Sequence, residues 1–274
     1  MTEIDTQQFA RQLRKWDYDR YLCSLYATQQ HRAGLWGLIA FNHEVARTAE
    51  SVSEANIGMI RLKWWLEALD EIYGSKPTRQ HEVVFVLERA IQTYNLPRES
   101  FETIIQARGM DLDFMKGFQT HDQFYDYLHD TAGTFHLLMA QIYGLEMHEE
   151  RHMAVVETAK LYAIVGLLRS IPYHAEHGII RWPLDVAKEC GIAPEAIAQG
   201  VEVEALKRFV SYWLELVLAD NENLKPVLKY LPPIHQKMHH LAMIYARELH
   251  RVESDISRLP SRIWSMPLRL WLNW

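Results

Sequence analysis

The sequence predicts an all-α protein, and three observations support this fold class. Apolar residues recur along almost the whole chain at the spacing of three and four positions that is typical of amphipathic helices. Alternation of apolar and polar residues between turn signals, which is typical of strands, is nearly absent. Hydrophobic residues make up 49% of the 274 positions, which is enough to fill a sizeable core.

The predicted helices end where glycine, proline or asparagine interrupts the apolar spacing. In chain order they cover about 14–26, 29–52, 54–73, 82–94, 98–115, 120–143, 203–230 and 233–253. Thr120 caps the sixth helix and Gly144 ends it, while Pro232-Pro233 forms the corner before the last. The stretch Leu161–Leu168 is apolar on all sides, which predicts a helix buried in the middle of a bundle, lining the core or a cavity. Since no repeat or linker is visible, we expect one domain of about ten helices over residues 1–274.

Composition and charge exclude several classes of protein. Lys plus Arg (29) against Asp plus Glu (35) gives a net charge of −6 without basic blocks, so nucleic acid is not an expected partner. Cys23 and Cys190 are the only cysteines, which fits a reducing compartment. No apolar run approaches the roughly 20 residues of a membrane-spanning helix. Glu3 and Asp5 stand where a signal or transit peptide would be free of acids, so we expect a cytoplasmic protein.

One zinc-binding pattern occurs, the H-E-x-x-H of His148–His152. The extended form of this pattern fails, because Val155 and Thr158 stand where glycine and a third histidine belong. We therefore expect an exposed, charged helix start and no zinc, with a zinc hydrolase as the alternative. His174 and His177 have the spacing of two metal ligands, but no cysteine or carboxylate cluster nearby completes a site. A solvated or polar-pocket role is favoured for them.

Three carboxylates repeat at every fourth position of the sixth predicted helix, Asp122, Asp126 and Asp130. On one helix face they could share a divalent cation, although the helix dipole alone accounts for Asp122 near the helix start. Tyr127 precedes the small pair Ala132-Gly133 in the same helix. Small residues inside a helix indicate close helix packing or, alternatively, a ligand chain lying against the bare backbone.

Two further charged groups are candidates for binding. Arg169 follows the all-apolar stretch, so it either pairs with a carboxylate or faces an anionic ligand. Glu44, Arg47 and Glu50 fall at positions i, i+3 and i+6 of the second predicted helix, which suits an internal ion-pair ladder at least as well as a metal site.

The C-terminal segment Arg258–Trp274 contains three tryptophans and no acidic side chain. In one interpretation the segment docks on the bundle and its tryptophans close the core. In the other, an apolar stripe flanked by arginines lies in a membrane interface or fills a partner's groove; the stripe consists of Trp264, Leu268, Trp271 and Leu272.

Several motifs together resemble the squalene/phytoene synthase superfamily, firmly over about 16–186 and loosely beyond. The resemblance implies the isoprenoid-synthase helical bundle with a central cavity, in agreement with the predicted fold class. The motifs that carry it are Tyr18–Leu25, Ala40–Asn42, Ser51–Glu54, Ile57–Arg61, Trp64-Trp65, Leu168-Arg169, Pro172–His174 and Trp182–Asp185.

Enzymes of this superfamily join two prenyl diphosphates head to head, with magnesium held by two Asp-rich motifs. Hard oxygen ligands are needed because the anionic diphosphate leaves only when cations neutralise it. Where the first motif, Asp-Asp-x-x-Asp, would fall, this chain reads Ala46-Arg47-Thr48-Ala49-Glu50. Where the second, Asn-x-x-Arg-Asp-x-x-x-Asp, would fall, Gly166–His174 keeps only Arg169. Magnesium would lose nearly all of its ligands, so the resemblance implies no cofactor.

This departure resembles the non-catalytic branch of the superfamily that contains the mitochondrial assembly factor of respiratory complex I. The implied partner is a complex I subunit or assembly intermediate. The resemblance leaves open whether the cavity also binds a prenyl or lipid-like molecule. A bacterial counterpart would be cytoplasmic or peripheral at the inner face of the membrane. The alternative is a head-to-head prenyl transferase that uses magnesium on relocated ligands, Asp122, Asp126 and Asp130. The implied cavity and ligand-binding residues are Glu44, Arg47, Glu50, Tyr127, Ala132, Gly133, Gly166, Arg169, Ser170 and His174.

Overall fold

The computed structural model describes residues 6–52, 54–74, 77–113, 117–199 and 203–253. The all-α prediction is confirmed, since these residues form 14 α-helices and no strand. In chain order the helices are α1 (Thr6–Trp16), α2 (Tyr18–Ser24), α3 (Gln29–Ala46), α4 (Ala55–Tyr73), α5 (Glu82–Tyr94), α6 (Arg98–Ala107), α7 (His121–Leu128), α8 (Thr134–Ile142), α9 (Glu149–Arg169), α10 (Ile171–Glu176), α11 (Leu184–Glu189), α12 (Pro194–Gln199), α13 (Val203–Leu228) and α14 (Pro233–Glu253).

The chain forms two compact units, and the prediction of one domain stays a prediction. Unit 1 comprises the described residues of Met1–Asp113, His129–Ala159 and Val227–Met238. Unit 2 comprises those of Phe114–Leu128, Lys160–Pro226 and His239–Trp274.

The core of unit 1 is built on α3, which is buried along most of its length. Phe41 is fully buried, and its ring meets the rings of Trp65 and Phe101 edge-on at centroid distances of 5.4 and 5.2 Å. Gly37 brings α3 close to α5, since a Cβ atom at this position would lie 2.8 Å from the backbone oxygen of Val86. A side chain there would push the two helices apart.

Two glycine substitutions should therefore have opposite effects on stability. Gly37→Ala is expected to lower the free energy of unfolding by about 1–3 kcal/mol, because its methyl group would overlap the oxygen of Val86. Gly166→Ala is expected to raise it by up to about 1 kcal/mol, because nothing lies within 4 Å of a Cβ there and alanine favours the helix. Urea unfolding followed by circular dichroism measures both. Equal effects of the two changes would contradict the close contact of α3 with α5.

The core of unit 2 is an aromatic cluster around two buried tryptophans. The ring of Trp182 lies 5.2 Å from those of Trp213 and Phe209, and Phe124 packs edge-on against Trp213 at 5.3 Å. Two backbone hydrogen bonds join Phe118, which precedes α7, to the start of α11: Phe118 N–H donates to the oxygen of Trp182, and Leu184 N–H donates to the oxygen of Phe118.

Helix boundaries differ from the prediction where polar side chains bond to the backbone. The predicted helix 14–26 is interrupted at Asp17, whose carboxylate accepts from Arg20 N–H at 3.1 Å and caps α2. The predicted helices 29–52 and 98–115 end early, at Ala46 and Ala107; a separate 3-10 turn, Ala49–Ser51, follows the first, and the second continues directly as the 3-10 turn Arg108–Leu112. The helices at 82–94 and 233–253 agree with the prediction at both ends. Three further helices, α10 to α12, have six residues each and are too short to show helical periodicity.

Candidate functional site

The residues implied as cavity and ligand-binding positions are distributed over the two units. Unit 1 holds Glu44, Arg47, Glu50, Ala132 and Gly133. Unit 2 holds Tyr127, Gly166, Arg169, Ser170 and His174. Each group has its own local geometry.

The first group lies at the end of α3, where the spacing suited an ion-pair ladder at least as well as a metal site. The helix ends at Ala46, so Glu50 lies in a separate 3-10 turn and the i, i+3, i+6 alignment is lost. Arg47 Nη1 donates to His43 Nε2 at 3.3 Å, and neither Glu44 nor Glu50 forms an ion pair with another described residue. The ladder is therefore not formed, because the helix stops one residue before Arg47.

His43 is the centre of this region. Its ring stacks on Trp16 at 5.0 Å, and burial, aided by the charge of Arg47, lowers its pKa to about 4. At neutral pH the ring is therefore uncharged, and Nε2 is free to accept from Arg47. This part of the chain places the guanidinium of Arg47, bonded to a neutral imidazole, in the segment where the resemblance puts the first Asp-rich motif.

The second group lies at the end of α9. The guanidinium carbon of Arg169 is 3.4 Å from the centroid of the Tyr245 ring, a stacked cation–π contact. Ser170 ends the helix by donating from Oγ to the oxygen of Gly166 at 2.9 Å. His174 follows in α10 and its backbone oxygen accepts from Ile179 N–H. Arg169 is therefore fixed against an aromatic face, a contact that neither predicted alternative included.

A π-helical turn, His129–Gly133, separates α7 from α8. The turn contains Ala132 and the buried Gly133, and Thr134 Oγ1 donates to the oxygen of His129 at 3.2 Å. Such turns insert one residue into a helix and are frequent at functional sites. In unit 2, Tyr127 is buried with its ring 4.9 Å from that of Phe118. Whether these residues line a prenyl cavity stays a prediction.

The predicted carboxylate cluster is not formed. Asp122 and Asp126 are exposed, and Asp130 lies in the π turn, which shifts the helical register. Asp130 instead contacts the ring of His129 at 3.0 Å. Within the described ranges, no group of three His, Cys, Asp or Glu side chains could hold a metal ion. The π turn inserts one residue and so interrupts the four-residue spacing of Asp122, Asp126 and Asp130. The three carboxylates therefore do not lie together on one helix face.

The H-E-x-x-H residues lie at the polar start of α9. His148 precedes the helix, and its ring pairs with Glu146 at 3.3 Å in a largely exposed position. His152 lies in the first turn and lines a small groove with Leu145 and Met147.

We expect the purified protein to contain no stoichiometric zinc, because His148 and His152 have no third ligand among the residues whose structure is described. Elemental analysis of the purified chain measures the metal content. About one zinc per chain, lost in the variant His152→Ala, would contradict this expectation. The variant His177→Ala, which changes a histidine outside the pattern, is the matched control.

Two contributors to the site were missed by sequence reasoning. His43 stands four residues before Arg47, so the spacing of these two residues at the end of α3 could have indicated it. Tyr245 is distant in sequence from Arg169, and no local pattern links the two.

The C-terminal segment 258–274 lies outside the described residues, so both interpretations of it stay open. No helix in the described part of the chain is long and apolar enough to cross a membrane.

Comparison with known proteins gives consistent results at the sequence level. The family model "Squalene/phytoene synthase" matches residues 13–271. NADH dehydrogenase (ubiquinone) complex I, assembly factor 6, of Bos taurus is 33% identical over 183 residues, which cover 67% of this chain and 54% of the bovine protein. The chloroplastic phytoene synthase of Daucus carota is 24% identical over 195 residues, 69% of this chain and 48% of the carrot protein. The chain thus spans about half the length of the curated relatives it matches.

Solved structures support the same fold. The squalene synthase HpnC from Alicyclobacillus acidocaldarius superposes with a TM-score of 0.73 at 19% identity, covering 93% of this chain and 94% of that one. A dehydrosqualene synthase in complex with ligand gives a TM-score of 0.75 at 13% identity, with 96% of both chains covered. At this level of identity the similarity establishes the fold, and the predicted isoprenoid-synthase type of bundle is confirmed.

Proposed function

Because this chain belongs to the squalene/phytoene synthase family, we propose that it is a non-catalytic member of that family that assists the assembly of respiratory complex I. The observation that carries the proposal is the replacement of the carboxylates at both Asp-rich motifs. Similarity to proteins named complex I, assembly factor 6, from Bos taurus and Drosophila melanogaster supports the choice of partner.

The residues at the two motif positions do not fit magnesium. The first motif keeps one carboxylate, Glu50, and adds the guanidinium of Arg47, whose charge repels a divalent cation. The second keeps Arg169 without any carboxylate, and this arginine is stacked on Tyr245. A diphosphate leaving group needs cationic stabilisation that hard oxygen ligands hold in place. The chain therefore lacks the groups that ionise a prenyl diphosphate in the family's enzymes.

We expect no magnesium-dependent condensation of farnesyl or geranylgeranyl diphosphate. Loss of the ions that stabilise the leaving diphosphate removes several kcal/mol of transition-state stabilisation. The assay incubates purified protein with labelled prenyl diphosphates and magnesium or manganese, with a squalene synthase as the positive control. Turnover of about 1 per second or faster, which is usual for enzymes, would refute the proposal and favour the prenyl transferase.

Deleting the gene in the source organism should reduce the amount of assembled complex I. Native gel electrophoresis and NADH:quinone oxidoreductase activity of the membranes measure the effect, and succinate dehydrogenase activity serves as the internal control. We expect both complex I readouts to fall and to return when the gene is restored. Complex I that assembles normally without the gene would contradict the proposed function.

An exposed apolar surface at the start of α4 is the surface we propose for the assembly partner. It consists of Ile57, Met59 and Ile60, which are 43, 54 and 67% exposed, and Met110 of the neighbouring 3-10 turn, which is 39% exposed. Gly58 between them is buried, where a Cβ would meet Leu112 at 2.2 Å. The helix thus packs closely at Gly58, while the apolar side chains beside this glycine are exposed to solvent. An exposed apolar patch of this kind is expected at a site of protein contact.

The variant Ile60→Asp tests this surface in the deletion strain. We expect it to restore much less complex I than the wild-type gene, because a carboxylate would be buried in the contact with the partner. Met153→Asp is the matched control, since Met153 is 55% exposed and belongs to a different helix, α9. Equal restoration by both variants would exclude this surface from partner binding.

A further inference from the structure

Unit 1 contains a groove that none of the predicted site residues lines. Its volume is about 980 Å³, at the upper end of the range for small-molecule sites. Helices α1, α3 and α5 form it, with Phe9 from α1, Trp36 from α3, and Phe85 and Val86 from α5 as its larger apolar side chains. The motif positions at the end of α3 do not contribute to it, so the groove is separate from the region that corresponds to the family's Asp-rich motifs.

The walls of the groove are held in place by specific contacts. Trp36 Nε1 donates to Ser24 Oγ at 2.9 Å, which fixes the indole ring. At the other end, the hydroxyl of Tyr94 donates to the backbone oxygen of Gln30 at 2.9 Å. Gly34 lies beneath that ring, and a Cβ at this position would be 2.5 Å from Tyr94 Cε2. The apolar surface is therefore formed before any ligand arrives.

Two arginines supply the charge of the groove, and no carboxylate lines it. Arg32 Nη2 donates to the backbone oxygens of Leu25 and Ala27, both at 3.0 Å, so its guanidinium is held at one position. Arg89 is exposed and lies over the ring of Phe85 at 5.9 Å. Neither guanidinium forms an ion pair with a carboxylate among the residues that the structure describes. The groove therefore carries two positive charges without internal compensation.

We propose that this groove binds an anionic amphiphile, a molecule with one phosphate or carboxylate group and a hydrocarbon chain. The anionic group pairs with the guanidinium groups of Arg32 and Arg89, which suit the planar, two-point recognition of such oxygens. The hydrocarbon chain lies on the partly exposed side chains of Trp36, Phe85 and Val86, and burial of its surface supplies the apolar part of the affinity. Binding needs no metal ion, because the arginines neutralise the charge directly. The inference is independent of complex I assembly.

Isothermal titration with dodecyl phosphate, below its micelle concentration, tests the proposal on the full chain. We expect one molecule to bind per chain, with an affinity that falls at least tenfold in Arg89→Glu and in Ala33→Trp. The first change reverses an exposed groove charge, and the second places an indole in the groove from an exposed position. Arg61→Glu is the matched control, because it reverses an exposed arginine of α4 outside the groove and should leave the affinity unchanged.

Two further probes separate the contributions of charge and chain. Inorganic phosphate lacks the hydrocarbon and dodecanol lacks the charge, so both should bind at least tenfold more weakly than dodecyl phosphate. If inorganic phosphate bound as tightly as dodecyl phosphate, the groove would be a simple anion site. If dodecanol bound as tightly, it would be an apolar pocket. Either result would overturn the proposal. So would the absence of dodecyl phosphate binding, or binding that Arg89→Glu leaves unchanged. Arg89 is exposed and makes no structural ion pair, so we expect Arg89→Glu to fold. This variant therefore tests the proposal even if Ala33→Trp does not fold.

Discussion

Phe41→Ala is expected to lower the free energy of unfolding by about 3–5 kcal/mol, the range for removing a fully buried aromatic ring. The ring meets Trp65 and Phe101 edge-on, so the substitution removes two aromatic contacts and leaves a cavity between α3, α4 and α6. The melting temperature should fall by roughly 10 °C. Tyr230→Ala is the control, because this aromatic ring is 58% exposed and its loss should change the melting temperature little.

The same experiment tests the single-domain prediction when Trp213→Ala of unit 2 is added. Trp213 is also fully buried, and its removal should cost a similar free energy. If residues 1–274 unfold as one domain, calorimetry will show one transition that both substitutions shift downward. Two transitions, one responding to Phe41→Ala and the other to Trp213→Ala, would show that the two units unfold separately.

The fold was predictable where local signals were strong. Helix α5 ends at Tyr94, because Asn95 adopts a left-handed conformation with φ of 50° and Pro97 cannot continue the helix. Helix α14 begins at Pro233, the position in a helix that best tolerates proline. Gly144, with φ of 64°, follows α8 as a C-terminal stop. In each case one residue restricts the backbone on its own, so no tertiary information is needed.

The breaks inside predicted helices depend on side-chain contacts that periodicity does not report. Asp17 interrupts the first predicted helix by accepting a backbone hydrogen bond, although an aspartate at this position also fits an exposed helix face. The π turn at His129–Gly133 adds one residue without a glycine or proline break at its start. This insertion explains why the repeat of Asp122, Asp126 and Asp130 suggested a shared face that the structure does not form.

The site was predictable only in part, because the sequence identifies motif positions and not their partners. The motif resemblance located Arg47 and Arg169, and the sequence itself shows that Glu50 is the only carboxylate left within Ala46–Glu50 and Gly166–His174. The stacking of Arg169 on Tyr245 joins residues far apart in the chain. The neutral state of His43 follows from its burial against Trp16, which is also a tertiary property.

Acidification from pH 7.5 to pH 5 is expected to destabilise the protein, chiefly through buried histidines. His235 is fully buried in unit 1, and burial lowers its pKa to about 4, although its hydrogen bond to the backbone oxygen of His136 acts in the opposite direction. Burial, together with the neighbouring His235 and Arg20, also lowers the pKa of His136. In the unfolded chain both rings titrate near the ordinary value of about 6.5.

The sign of the effect follows from proton uptake. Below about pH 6.5 the unfolded chain binds protons that the folded chain excludes, so the free energy of unfolding falls as the pH decreases toward the folded pKa. With a folded pKa of about 4, His235 alone accounts for about 2 kcal/mol at pH 5. Above about pH 7 the contribution is complete and changes no further. His43 and His239, whose pKa values burial also lowers to about 4, act in the same direction.

The variant His235→Gln separates this histidine from the other acid-sensitive groups. His235 Nε2 lies 3.0 Å from the backbone oxygen of His136, so the neutral ring donates there, and a glutamine amide can donate to the same oxygen without titrating. Urea unfolding at several pH values should show that the variant loses about 2 kcal/mol less than the wild type between pH 7.5 and pH 5. His148→Gln, a substitution at an exposed histidine that precedes α9, is the matched control. An identical pH dependence in His235→Gln and the wild type would mean that His235 has the same pKa in the folded and the unfolded chain, and the burial argument for its lowered pKa would then be wrong.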